Sequence, residues 1–313
     1  MAVMLDVRGL SKQFRNVTAV WNLTLQLEES DVFGFIGPNG AGKTTTIKML
    51  ATLLRPTMGS AYVCGYDIAR HQEEVRALIG YMPDFFGVYD DIKVWEYLDF
   101  FAAAYRIERA RRPQIIDDVL ALTDLTGKRE SYVEELSRGM KQRLCLAKTL
   151  VHDPKVLLLD EPASGLDPRA RIEIRELLKE LRAMGKTIFI SSHILSELSD
   201  FCNKIGIIEN GQLVCAGEVS DILEQLSGCI TIVIKVRDGL ERAQEVLQPI
   251  PFVQNIKPVE TENTLLVEYV GEREGIPELL QRLVGAGVQV TSFAEEEADL
   301  EDIFLKMTQG IVS

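Results

Sequence analysis

Gly37-Pro38-Asn39-Gly40-Ala41-Gly42-Lys43-Thr44 decides the fold of this chain. Its glycines let backbone N–H groups turn inward around a polyphosphate, and the lysine and hydroxyl that close it complete a phosphate-binding loop. Before it, Val32-Phe33-Gly34-Phe35-Ile36 reads as a buried strand; after it, Thr45-Thr46-Ile47-Lys48-Met49-Leu50 reads as a helix. That strand–loop–helix context is what the pattern requires. The helix N-terminus adds the positive end of its dipole. In such a loop Lys43 stands against the β- and γ-phosphates and the Thr44 hydroxyl reaches a magnesium ion. The chain is expected to bind a nucleotide.

Composition narrows the class. The 313 residues are 46% hydrophobic and 26% charged, with a formal net charge of −13, an ordinary soluble composition with material for one large or two modest domains. The acidic balance argues against a nonspecific grip on nucleic acid. No apolar run approaches the ~18 residues of a membrane span, and the N-terminus shows no signal-peptide pattern. The five cysteines form no Cys-x-x-Cys pair and read as reduced thiols of a cytoplasmic protein.

A second chemical signal is Val156-Leu157-Leu158-Leu159-Asp160-Glu161-Pro162. A buried strand ending in two carboxylates suits a nucleotide hydrolase: Asp160 to hold the magnesium ion, Glu161 to polarise the attacking water as general base. Around these motifs the first ~220 residues alternate strand-like and helix-like segments, an α/β arrangement with a mainly parallel sheet. Further strands are expected at Thr187–Ser191 and Lys204–Ile208, and a helix over Ala170–Met184 with Ile174, Leu177, Leu178 and Leu181 on one face. After Ser227 the pattern changes to βαββαβα, ending in a helix over Leu300–Met307, which suits a small α+β domain of ferredoxin-like type. We therefore expect domains over residues 1–222 and 228–313. Residues 81–105 hold nine aromatics. The spacing from Trp95 to Phe101 suits helical packing; the alternative is a surface, Phe85, Phe86 and Tyr89 included, built to receive a partner.

Leu136-Ser137-Arg138-Gly139-Met140-Lys141-Gln142-Arg143 lies between the phosphate loop and the acidic strand, and Ser164-Gly165-Leu166-Asp167 and Ser191-Ser192-His193 follow. In this order the segments resemble the signature, D-loop and switch histidine of the ATP-binding cassette (ABC) ATPases, over residues ~5–220. The resemblance implies ATP and Mg2+ as ligands. It places Phe14 on the adenine, residues 37–45 including Thr45 on the phosphates, and Ser137, Gly139 and Asp167 on a nucleotide held by a second cassette. It gives metal contacts to Thr44, Asp84 and Asp160, and catalysis to Glu161 and His193. Ser137 also stands where an N-cap precedes a helix over Arg138–Leu150, presenting a hydroxyl and free N–H groups to an anion. One loop and one signature per chain imply two cassettes head to tail, as a homodimer or a heterodimer. Phe14 has the alternative of a core aromatic.

Three residues depart from the family pattern: Asp84 replaces the usual glutamine, and Arg138 and Met140 replace glycine and glutamine in the signature. The stretch Gly87–Leu98 and the ending Leu300–Lys306 look like the ATP-binding subunits of ABC-2-type exporters. Those carry an extra C-terminal domain and dock, without membrane spans of their own, on the cytoplasmic side of a separate transmembrane permease. A soluble ABC-type ATPase acting on ribosomes or DNA is the alternative.

Overall fold

Five consecutive buried residues, Val32–Ile36, form the strand that carries the phosphate loop. The computed structural model describes residues 2–84, 87, 91–194, 198, 201–219, 221–222, 230–259, 263–271 and 273–295. They fall into two compact units, Met1–Val219 and Ser220–Ser313.

In the first unit the order is β1 (Val3–Phe14), β2 (Val17–Glu28), β3 (Val32–Ile36), α1 (Lys43–Leu50), β4 (Met58–Val63), β5 (Tyr66–Asp67), α2 (Gln72–Leu78), β6 (Ile79–Met82), α3 (Val94–Ala104), α4 (Arg112–Leu122), α5 (Arg138–Leu150), β7 (Val156–Asp160), α6 (Pro168–Ala183), β8 (Thr187–Ser192), β9 (Lys204–Glu209) and β10 (Gln212–Glu218). One sheet has the order β10-β9-β3-β8-β7-β6. Its β9, β3, β8, β7 and β6 are parallel, and β10 closes the edge antiparallel to β9. β3, β7 and β8 are buried at every position, as strands covered on both faces must be. Phe33, Phe35 and Phe189 pack together, with ring centroids 5.2 to 6.2 Å apart, and tie β3 to β8.

A second sheet, order β2-β1-β4-β5, is antiparallel throughout. It departs from the simple alternation expected of the sequence. The reason is visible in β2, where Leu23, Leu25 and Leu27 point inward while Thr24 and Gln26 point out. That period-2 pattern is the mark of a half-solvated antiparallel strand. Helices α3, α4 and α5 form a separate layer. In α3 Tyr97 is buried and meets Phe101 edge-on at 5.0 Å, while Phe100 stays exposed. The helix over Arg138–Leu150 runs as expected, and α6 buries Ile174, Leu177, Leu178 and Leu181.

The second unit contains β11 (Ile230–Val236), a helix Leu240–Leu247, β12 (Val253–Val259), β13 (Thr264–Tyr269), a helix Ile276–Gly285 and β14 (Val290–Glu295). Its antiparallel sheet has the order β12-β13-β11-β14. A βαββαβ chain with its first and third strands central is the ferredoxin-like arrangement. Ile232, Ile234, Leu247, Leu265, Val267, Leu279 and Leu283 make its core. The expected helix over Leu300–Met307, the Leu300–Lys306 ending and the interface residues Phe85, Phe86 and Tyr89 lie outside the described residues.

Candidate functional site

The loop after β3 is shaped by close backbone approaches that only glycine permits. A Cβ at Gly37 would lie 2.2 Å from the Ile208 carbonyl oxygen. Gly42 has φ +110, and a Cβ there would lie 2.5 Å from the Ala19 carbonyl oxygen. The hairpin after β9 secures the loop as well, since the Gly211 N–H donates to the Ala41 carbonyl at 3.0 Å. Pro38, Asn39 and Gly40 are exposed, whereas Ala41 and Gly42 are buried. Helix α1 begins at Gly42 with no side-chain cap, which leaves its first N–H groups for an anion. Thr44 and Thr45 are half-buried on its first turn.

Lys43 is buried and folded back over the loop. Its Nζ donates to the Gly37 carbonyl at 2.6 Å and the Pro38 carbonyl at 3.2 Å, and lies 3.3 Å from Glu161 Oε1. Glu161 Oε2 is 2.7 Å from His193 Nδ1, a charge-assisted distance at which the imidazole donates, because a carboxylate can only accept. Lys43 at the start of α1, Glu161 just beyond β7 and His193 just beyond β8 thus form one continuous line of contacts.

Ser191 holds the two acids in place. Its hydroxyl donates to Asp160 Oδ1 at 2.7 Å and accepts from the Glu161 N–H at 3.1 Å. Glu161 takes a left-handed backbone, φ +51, a conformation uncommon outside glycine and frequent at functional sites. Asp160 is 1% exposed, and its Oδ2 has no hydrogen-bond partner. Burial pushes the Asp160 carboxyl above the usual range, against the Ser191 and Thr44 hydroxyls that favour its charge and together with the nearby Asp84 and Glu161 carboxylates. Burial, with the charges of Asp160, Cys145 and Asp84 behind it, also pushes the Tyr81 hydroxyl up to about 12. An orphaned buried carboxylate oxygen beside a threonine hydroxyl and two further acids fits a hard divalent cation. Among the described residues no group of three His, Cys, Asp or Glu side chains is arranged to hold a metal alone. Hydroxyl and ligand oxygens would have to complete the shell.

Phe14 ends β1 and is 45% exposed, with Lys12 Nζ 5.0 Å from its ring centroid. It pairs with Val17 across the turn into β2, the strand whose Ala19 and Val20 touch Gly42. The core alternative for Phe14 is therefore excluded. Ser137 caps α5 and accepts from the Met140 N–H at 3.3 Å; Asp167 caps α6 and accepts from the Ala170 N–H at 3.0 Å. Ser137, Gly139 and Asp167 line one hollow of about 240 Å³, and no phosphate-loop residue is part of its wall. The candidate residues thus separate into two groups on one unit: the loop with Asp84, Asp160, Glu161 and His193, and the signature with Asp167. Motif reading missed the supports of the first group, which are Ser191, Ile208, Ala19 and Gly211. The requirement for glycine at positions 37 and 42 is the sequence signal for Ile208 and Ala19, the backbone neighbours a side chain there would strike.

Residues 20–164 match a family described as ABC transporter, and residues 217–308 match one described as ATP-binding protein DrrA1-3-like, C-terminal domain. The chain is similar to Nod factor export ATP-binding protein I of Cupriavidus metallidurans, 34% identical over 98% of both chains. It is likewise similar to an ABC transporter ATP-binding protein of Bacillus subtilis, 34% identical over 98% of this chain and 97% of the relative. A solved ATP-binding subunit of an ABC transporter covers 71% of this chain and 92% of its own length, with TM-score 0.64 and 30% identity. A dimeric ATP-binding cassette bound to ADP and Pi shares the fold at TM-score 0.62 and 23% identity, over 69% of this chain and 99% of its own. The chain belongs to the ATP-binding proteins of ABC transporters.

Proposed function

We propose that this chain hydrolyses Mg-ATP in a site completed by a second cassette, and that the cycle drives a separate transmembrane permease in export. The observation that carries the hydrolase reading is the Lys43–Glu161–His193 line set beside the orphaned Asp160 Oδ2. Phe14 offers its exposed ring to the adenine. The N–H groups of residues 37–45 receive the phosphates, with Lys43 released from the loop carbonyls to meet them. Thr44, Asp160 and Asp84 would hold magnesium, which supplies neutralisation of charge on the β- and γ-oxygens when bound. Glu161 accepts a proton from the attacking water, while His193 holds that carboxylate and faces the γ-phosphate. The products are ADP and inorganic phosphate.

The division of the candidate residues supports a second cassette. Ser137, Gly139 and Asp167 share a hollow of their own, and the capped N-terminus of α5 offers its dipole to an anion. We assign them to the nucleotide of the opposing copy, in a homodimer or heterodimer. No helix of the described residues is long and apolar enough to cross a membrane. With relatives named as export and transporter ATP-binding proteins, this supports a chain docked on the cytoplasmic face of a permease, residues 1–222 as the cassette and 228–313 as an accessory domain. The same names favour transport over action on ribosomes or DNA.

The test is phosphate release from Mg-ATP by the purified chain and its Glu161→Gln variant. Loss of a general base lowers turnover by about 100-fold or more, while binding of a fluorescent ATP analogue stays within a few-fold. Equal turnover in the variant would remove Glu161 from the role of base.

A further inference from the structure

The signature helix grips the loop that carries Glu161. Gln142, buried on α5, donates from Nε2 to the Pro162 carbonyl. Arg138, on the first turn of the same helix, donates from Nη2 to the Ser164 carbonyl at 3.2 Å. Gly165 lies under the guanidinium: it has φ +66, and a Cβ there would lie 2.2 Å from Nη2 and 2.5 Å from Cζ. The loop is thus held at two carbonyls, and the missing side chain at 165 is what admits the arginine.

The gripped segment is short and internally braced. The Ser164 N–H donates to the Glu161 carbonyl at 3.0 Å and the Leu166 N–H to the Ala163 carbonyl at 3.3 Å; Asp167 then caps α6. At its head, Glu161 holds a left-handed backbone, which persists only where the surroundings impose it. Moving Ser164 therefore moves the residue whose carboxylate meets Lys43 and His193. At the other end of the grip, Arg138 directly follows Ser137, the cap that presents α5 to an anion.

We propose that Arg138 is a positioning residue for hydrolysis: by clamping Ser164 and Gly165 to the signature helix, it links the anion engaged at Ser137 and Gly139 to the placement of Glu161 in the same chain. The inference rests on the hydrolase reading above. It gives a purpose to the signature's departure from the family's usual glycine. A lysine replaces the clamp poorly, because a point charge on a flexible stem lacks the planar fork that lies over Gly165.

The test uses the full chain with Arg138→Gly, Arg138→Lys, Gly165→Ala and the double variant Arg138→Gly/Gly165→Ala. Arg138→Gly is expected to lower kcat about tenfold with KM unchanged. Arg138→Lys should recover a part of this. Gly165→Ala displaces the guanidinium and should lower kcat similarly, and the double variant should be no worse than the poorer single one, the non-additivity of residues that share one contact. Independent, multiplying losses, or a kcat for Arg138→Gly within about twofold of wild type, would overturn the clamp. A second readout needs no turnover: in the nucleotide-free chain, amide hydrogens of a peptide covering 161–167 should exchange faster in Arg138→Gly than in wild type. Equal exchange overturns the clamp. A wild-type chain that releases no phosphate while this exchange difference holds would remove the hydrolase reading and leave the clamp standing.

Discussion

Replacing Gly37 by alanine drives a methyl group into the backbone of the neighbouring strand. Its Cβ would stand 2.2 Å from the Ile208 carbonyl oxygen, 3.0 Å from Ile208 Cγ2 and 3.2 Å from the Ala41 Cβ, and contacts under 3.0 Å are essentially never tolerated. Ile208 lies in β9, whose Ile207 pairs with Ile36 in the central ladder, so neither side yields by a rotamer change. Loop or strand must retreat by roughly 1 Å, at about 2 kcal/mol within the range for overpacked sites. For a unit of this size that lowers Tm by about 4–8 °C. Both tryptophans, Trp21 and Trp95, belong to the first unit, so their fluorescence reports its melting alone. Displacing the loop amides by such a distance also weakens ATP binding by about tenfold or more. Gly40→Ala is the control: φ is +83 and nothing lies within 4 Å of the added methyl. Only a left-handed backbone is then penalised, at about 1 kcal/mol. A Gly37→Ala chain that melts within about 1 °C of wild type and binds ATP equally well would refute the steric account of the loop.

Two further predictions concern titration. Burial raises the Asp160 carboxyl, and a carboxyl raised above its unfolded value costs the fold stability as pH rises through the folded pKa. Asp160→Asn should therefore raise Tm by about 2–4 °C at neutral pH, a gain of about 1 kcal/mol. The gain should shrink in acid, where the native residue is protonated; a variant that melts lower at pH 7 contradicts this reading. His152 stacks on Tyr105 at 3.7 Å and its Nε2 meets the Ile79 carbonyl at 2.8 Å. Burial lowers its pKa, reinforced by Lys148 and Lys186 and opposed by the Ile79 hydrogen bond and Asp153. Its contribution is therefore complete above the unfolded pKa and is lost as pH falls through the lowered folded value. His152→Phe should flatten the melting-temperature profile from about pH 6.5 downward, and an unchanged slope there would exclude His152 as its source.

The strand–loop–helix around Gly37 was legible because its signals are local: an apolar run, glycines at fixed places and a helix-forming segment. The acidic end of β7 and the cap at Ser137 were legible for the same reason. The antiparallel sheet of β1, β2, β4 and β5 was not, since a motif-led reading passes over strands that carry no chemistry. Nor was the contact of Lys43 with Glu161 or the double hydrogen bonding of Ser191. Those depend on which strands become neighbours, and on Ser191 falling opposite Asp160 in the register. The ferredoxin-like unit was readable because its alternation is regular and its connections are short. Arg138 stood out only as a departure, and its partners Ser164 and Gly165 lie 26 and 27 positions away.

The placement of β8 between β3 and β7 makes that strand a ruler. Neighbouring strands lie about 4.8 Å apart, so the loop-bearing strand and the acid-bearing strand are spaced by about 10 Å. Were β3 and β7 adjacent, the ends of the two strands would lie at half that spacing. The ruler also carries its own mark, His193, one residue beyond its end. Because Ser191 and Ser192 pair with Asp160 and Ile36 respectively, a slip of one residue in β8 would invert its faces. The hydroxyl that supports the acids and the ring that meets Glu161 would be lost in a single event, so the spacing of the outer strands and the alignment of these groups are one property of one strand.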